Sequence, residues 1–257
     1  MEENNGKLRN KIISIVAIVF FFVAWFIAGE LELYDTQFVP GLGTVFAEAW
    51  HLIQNGVLLE CISISVFRIV VGLSFSIVVG IPLGYLLGGF SPKFAAFIKP
   101  LLKNLSLVNC FTLIPVFILL FGIGEGSKMG IIFWVLVFPV MFATIQGVEQ
   151  IDPAIINAAR SMGAGKIKIF FDIALPAAAT PVFAGVKSAA SLGFLVLLSA
   201  ETVGAKSGLG WLVFNSHANY NVPRLFVGIL AVALFGFVFT AVIELAQKRI
   251  IVWKEES

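Results

Sequence analysis

Long uncharged runs alternate with short polar segments along the chain. The apolar runs cover 12–29, 62–90, 105–124, 129–148, 181–200 and 225–243, and only Arg68 in the second and Lys187 in the fifth interrupt them. Each run has about 18 residues or more, enough for a helix to cross roughly 30 Å of hydrocarbon at about 1.5 Å per residue. The pattern therefore predicts an all-α integral membrane protein with about six transmembrane helices in one domain, 1–257. Two intervening segments are longer than hairpins. In the first, between Glu30 and Glu60, a short surface helix is expected, capped by Thr44, with Val45, Ala49, Leu52 and Ile53 on one face. The second, 149–180, is itself partly apolar.

Within the second run a small residue recurs at every fourth position: Gly72, Ser76, Gly80, Gly84 and Gly88. That spacing keeps the five near one helix face, where small side chains let two backbones approach closely in lipid. They are expected to serve helix packing. Pro82, Pro115 and Pro139 lie inside runs, where the backbone acceptor each one frees must be satisfied by protein or water.

Composition agrees with lipid as the solvent. Only 12% of residues are charged, 59% are hydrophobic and the mean hydropathy is +1.00, whereas a soluble domain has about a quarter of its residues charged. Lys and Arg placement sets the orientation. With the N-terminus in the cytoplasm, the inner segments hold Lys7, Arg9, Lys11, Lys93, Lys99, Lys103, Arg160, Lys166, Lys168, Lys248, Arg249 and Lys254, twelve of seventeen basic residues. The first outer segment carries Glu30, Glu32, Asp35 and Glu48 instead. Both termini are therefore expected in the cytoplasm. The first run is read as a retained span, because it is long for a signal sequence and acidic residues, not a small-residue cleavage site, follow it.

Candidate chemistry is sparse. Cys61 and Cys110 stand in or beside apolar runs, and His51 and His217 are isolated, so no metal site is expected. Gly163-Ala164-Gly165-Lys166-Ile167 is not a phosphate loop, since Arg160 and Ile167 occupy the positions that need Gly and Ser or Thr. Trp25, Trp134 and Trp211 are expected near the membrane interfaces. Intramembrane charges are costly and commonly face a protein interior or a water path. Arg68 and Lys187 are therefore pathway candidates, with a structural pair or an interfacial position as the alternative for each; Glu201, at the outer end of the fifth run, is the third, as a brace of an outer gate or a contact for a binding protein, with a plain helix-end carboxylate as its alternative.

The inner segment 149–180 reads Asn157-Ala158-Ala159-Arg160-Ser161-Met162-Gly163, nine residues, then Ile173-Ala174-Leu175-Pro176. This predicts a short helix closed by Gly163 and a second ending before Pro176. Ile155, Ile156, Ala158, Ala159 and Met162 give the first helix an apolar side, which suits docking better than mere connection. The spacing resembles the EAA loop of binding-protein-dependent ABC importer permeases: Glu-Ala-Ala, three residues, Gly, nine residues, Ile-x-Leu-Pro. Only the leading Glu differs, being Asn157. Further stretches are similar to the nitrate, sulfonate and taurine branch: Phe38-Val39-Pro40-Gly41, Ser65 to Gly72, Phe121-Gly122-Ile123-Gly124-Glu125, and Glu201 to Gly210.

The resemblance implies a type I importer permease fold in a bacterial inner or plasma membrane. It implies that ABC ATPase subunits grip the loop, with Asn157, Ala158, Ala159, Arg160, Met162, Gly163, Ile173, Leu175 and Pro176 at the coupling contact. ATP and Mg would be bound by that partner ATPase, with no cofactor and no catalysis in this chain. An extracytoplasmic binding protein would deliver a small solute, nitrate-, sulfonate- or taurine-like or a vitamin precursor in this branch, and a second permease copy would complete the pathway as a homodimer. No nucleic-acid partner is implied. A secondary transporter driven by an ion gradient is the alternative, but no internal repeat or midspan carboxylate supports it. An intramembrane enzyme would need a nucleophile–base or metal constellation that no run supplies.

Overall fold

The computed structural model describes residues 23, 25, 38–89 and 92–250, with side chains described only from 95 to 245 in the last stretch. The expected first span, 12–29, lies outside the described residues apart from helical Val23 and Trp25. Among the described residues the elements are helical throughout. They are α1 (Leu42–Gln54), α2 (Val57–Gly89), α3 (Pro92–Ser106), α4 (Cys110–Phe121), α5 (Glu125–Glu149), α6 (Pro153–Ser161) and α7 (Lys166–Ile169), then α8 (Ala179–Thr202), α9 (Leu209–Ala218) and α10 (Val222–Ile250). Four helices, α2, α5, α8 and α10, are long and apolar enough to cross a membrane. α3 and α4 form a bent pair that makes a fifth if counted as one span. Backbone groups in hydrocarbon have no water to bond, so the chain satisfies them within helices.

By residue contacts the chain divides into two units, residues up to Leu59 with Leu212–Ala231, and Glu60–Trp211 with Val232 onward. The boundaries fall within α2, α9 and α10, so the single expected domain has two centres of contact. In the first unit α1 buries Val45 and Leu52. Its start differs from expectation: Gly41, extended at φ −62° and ψ 148°, is the residue before the helix, and Thr44 already lies inside it. The Val45 amide donates to the Gly41 carbonyl, so the turn closes before Thr44 can cap it. Gly228 sits against Val213 in the same unit.

The second unit is organised around α5. Ile131, Ile132, Leu136, Val140 and Met141 are fully or almost fully buried there. The small-residue face of α2 lies on this helix. A Cβ added at Gly84 would meet Thr144 Cβ at 2.5 Å and the Met141 carbonyl at 2.7 Å, and one at Gly88 would lie 3.1 Å from the Ile145 carbonyl. Gly72 abuts Ile132 and Gly80 abuts Val140. Ser76 Oγ donates to the carbonyl of Phe133 across the helices at 3.2 Å and to Gly72 within its own. On another side α8 approaches through Gly185, against Ala143 and the Pro139 carbonyl, and Gly193, against Leu136.

The third span differs from expectation. Instead of one helix over 105–124, α3 and α4 meet at an angle of 96°. The break falls at Leu107–Asn109, and the Asn109 side chain accepts from the Phe111 amide at 2.9 Å to start α4. Twelve residues rise only about 18 Å, so α4 alone is shorter than the hydrocarbon. α3 carries Lys99 and Lys103 together with exposed Phe97 and Leu101, a composition suited to lying in the interface plane.

Replacing Gly84 by Val forces α2 and α5 apart where backbone carbonyl and β-carbon already touch. Overpacking of this kind costs about 1–3 kcal/mol. Thermal unfolding of the purified variant in detergent should show a lower midpoint than wild type, and an unchanged midpoint would refute the close approach.

Candidate coupling segment and a buried ionic cluster

The segment between α5 and α8 starts and stops on local signals. Asp152 accepts from the Ala154 amide at 2.8 Å and Pro153 opens α6, the side-chain cap and first-turn proline of a helix start. At the other end Gly163 adopts φ +79°. The Ala164 amide donates to the Ala159 carbonyl at 3.0 Å and the Gly163 amide to Arg160 at 2.9 Å, a Schellman closure. Space does not demand glycine here, since an added Cβ would meet nothing within 4 Å; the left-handed backbone does.

Within residues 157–163 Ala159 is the buried member, while Asn157, Ala158, Arg160 and Met162 are exposed, Met162 at 82%. Ile155, Ile167 and Phe171 add exposed apolar surface. The second helix does not stop before Pro176. α7 runs into a wider π-type turn at Phe170–Ala174 and a last turn at Leu175–Ala177 that contains the proline. Pro176 has no N–H to donate and its ring crowds the preceding turn; a wider turn relieves both. Ile173 and Leu175 are half-buried and Ala174 is buried. Tyr85 of α2 reaches this segment, its ring centroid 4.5 Å from that of Phe170.

At the opposite ends of the same helices the structure brings Arg68 and Glu201 together. Arg68 is 1% exposed and Glu201 0%. Arg68 Nη1 donates to Glu201 at 2.8 Å and to the Ser207 carbonyl at 2.8 Å, while Nε and Nη2 donate to the two oxygens of Glu125 at 2.6 Å each. Glu201 also accepts from Ser65 Oγ at 2.7 Å and the Gly210 amide at 2.8 Å. Ser65 in turn accepts from the Leu209 amide at 2.9 Å. Gly208, at φ +125°, leaves room for the pair: a Cβ there would lie 2.5 Å from Glu201 Cδ and 2.7 Å from Arg68 Nη1. Lys128, almost fully buried, donates to the carbonyls of Gly124 at 3.0 Å and Gly204 at 3.3 Å.

Lys187 stands apart from this cluster. It pairs with Glu244 of α10 at 2.8 Å, with both side chains partly exposed. Glu125, Lys128, Ser65 and Gly208 were not singled out as site residues from the sequence. Ser65 and Arg68 are three apart on one helix and so share a face, which was the one local signal available. No group of three or more His, Cys, Asp or Glu that could hold a metal occurs among the described residues.

Removing one partner from a buried ion pair leaves the other charged and unsatisfied, at a cost of about 3–5 kcal/mol. Arg68→Ala, which strands Glu201, should therefore lower the unfolding midpoint far more than Glu125→Gln, since Glu125 is half exposed. Equal shifts in the two variants, read by thermal unfolding in detergent, would show that the buried pair is not what stabilises this end.

Comparisons with known proteins bear on the whole chain. Residues 80–252 match the family described as binding-protein-dependent transport system inner membrane component. A probable ABC transporter permease protein of Brucella abortus (strain 2308) is 26% identical over 253 residues, covering 98% of this chain and all of the relative. The putative aliphatic sulfonates transport permease protein SsuC of Escherichia coli (strain K12) is 30% identical, covering 89% of this chain and 87% of its own. The taurine transport system permease protein TauC of the same strain is 25% identical over 96% of this chain and 92% of its own. Among solved structures, an inward-facing MetNI methionine ABC transporter chain matches with a TM-score of 0.61 at 18% identity, covering 73% of this chain and 95% of that one.

Proposed function

The chain belongs to the binding-protein-dependent transport system inner membrane components, and from that premise we propose how its parts divide the work of an ATP-driven importer. It is a multi-pass, non-enzymatic permease subunit of the inner membrane with the type I importer fold. The family implies an ATPase and a substrate-binding protein as partners.

In the proposed assembly two copies of this chain line the pathway as a homodimer. The ATPase binds ATP and Mg on the cytoplasmic side and grips the segment 149–180. One observation carries this reading: α6 is capped at both ends yet leaves Ile155 and Met162 exposed. Exposed apolar side chains on a cytoplasmic connection suit a protein partner. The substrate class we propose is a small sulfonate, supported by the taurine and aliphatic sulfonates transport permeases among its relatives. Arg68 does not serve as the anion-attracting group in this reading, because two carboxylates already neutralise it. Arg68 and Glu201 instead brace the outer ends of α2 and α8, and Lys187 ties α8 to α10.

Gly163 separates coupling from folding. Val at this position meets no neighbour but must hold a left-handed backbone, at about 1–2 kcal/mol; Asn tolerates that backbone far better. Gly163→Val should abolish uptake and the ATPase stimulation given by the loaded binding protein, with membrane insertion retained, while Gly163→Asn keeps most of both. Normal uptake by the Val variant would remove the coupling role from this segment.

A further inference from the structure

We propose that Tyr220, in the turn between α9 and α10, is an aromatic anchor for the extracytoplasmic binding protein. Its backbone sets it apart. Among the described residues a positive φ occurs at five glycines and at Tyr220, where φ is +54°. The Tyr220 amide donates to the His217 carbonyl at 3.1 Å and the Asn221 amide to the Ser216 carbonyl at 2.9 Å. This is the Schellman closure that Gly163 makes at the end of α6. Glycine is the usual residue at that place and Asn tolerates it, whereas a bulky side chain is rarely found there. Nothing within the chain offsets the strain. The Tyr220 side chain is 91% exposed, and no side-chain hydrogen bond or ring contact to it occurs among the described residues. Strain kept at an exposed position points to a function outside the fold.

The turn is held from both helices. The Asn219 amide donates to the Asn215 carbonyl at 3.0 Å, the Leu225 amide to the Asn221 carbonyl at 3.0 Å, and the Arg224 amide to Asn221 Oδ1 at 3.2 Å. The ring therefore stands on an ordered support, and a tyrosine has only two χ angles to fix on binding, so docking it costs little conformational entropy. His217, Asn219 and Asn221 are exposed around it. One aromatic group inside a polar, uncharged rim is the layout of a protein–protein anchor, where Tyr is enriched. It calls for an apolar pocket on the partner, edged by neutral hydrogen-bonding groups.

Two other occupants fit less well. Lipid headgroups collect tyrosines from ordinary helical positions, which gives no reason for a strained one. The ATPase is on the other side, since the connection between the fifth and sixth runs is outer when the basic segments are placed inside. The family implies a binding protein as the outer partner, and naming it as the occupant rests on the importer reading above.

The test uses the permease assembled with its ATPase in nanodiscs, and the purified substrate-binding protein of the same transport system. Affinity between the two is read by biolayer interferometry, independently of ATP hydrolysis. Tyr220→Gly and Tyr220→Asn both keep the turn and remove the ring, and each should weaken Kd about tenfold or more, as truncating an interface anchor does. Tyr220→Phe keeps the ring and should stay close to wild type. In detergent the Gly and Asn variants should unfold at the wild-type temperature or above, because both hold the left-handed backbone with less strain. An unchanged Kd in these two variants overturns the proposal and leaves the ring to the lipid. Lower unfolding midpoints in both overturn it as well, since the ring would then support the fold, and so does a Kd for the Phe variant as weak as that of Gly. Failure of the coupling reading registers separately, as ATPase stimulation that persists in Gly163→Val, and leaves the Kd comparison standing.

Discussion

Helices in hydrocarbon gain nothing by hiding apolar surface from one another, because the lipid is as apolar as they are. Association must come from close contact, and α5 is where this chain concentrates it. α2 reaches α5 through Gly72, Gly80, Gly84 and Gly88, and α8 reaches it through Gly185 and Gly193. At several of these points a side chain would collide with backbone and not with a movable tip, so the helices cannot slide without separating. The other contacts of this unit are built on that rigid arrangement.

Both ends of α5 are then tied electrostatically to other helices. Glu125, its first residue, holds Arg68 of α2, and Glu149, its last, holds Lys99 of α3. At about 1.5 Å per residue, the step from Glu125 to Glu149 separates these ties by about 36 Å, more than the hydrocarbon thickness. One helix thus links the ionic cluster to the segment 149–180. The buried part of that cluster is poor evidence of stability gained, because desolvating an arginine and a carboxylate offsets much of their attraction. Its geometry argues for specificity. Arg68 spends its donors on Glu125, Glu201 and the Ser207 carbonyl, which admits one relative placement of α2, α5 and the turn after α8.

What the sequence revealed depended on the range of the cause. Spans were legible because lipid demands long apolar helices, and α2, α5, α8 and α10 overlap the expected runs. The closure at Gly163 was legible because four or five adjacent residues make it. The bend between α3 and α4 was not: 105–124 is uniformly uncharged, so nothing in its pattern marks where the axis turns, and only the Asn109 cap signals a new start. The ionic cluster was half legible. Arg68 and Glu201 stood out as charges in or beside apolar runs, but their pairing joins residues 133 apart and Ser65 meets Glu201 across 136. No local pattern encodes such partners. Glu125 and Lys128 stood at the edge of a run and so carried no sign of being drawn inward.

That pairing changes what a charge inside a span says. Arg68 alone suggests a lure for an anion; Arg68 with two carboxylates and a carbonyl is a neutralised joint, because an arriving anion would have to displace Glu125 to reach it. At the other end of the unit Lys99, Arg160 and Lys166 line a cavity together with Glu149, which pairs with Lys99. Asn157 is placed there as well. Its exposed position on α6 lines that cavity, so losing the motif's carboxylate there removes no buried ion pair and leaves the capping of α6 to Asp152 and Gly163. The segment keeps its shape while its inner side becomes more basic, and the apolar outer side, with Met162 and Phe171, is untouched.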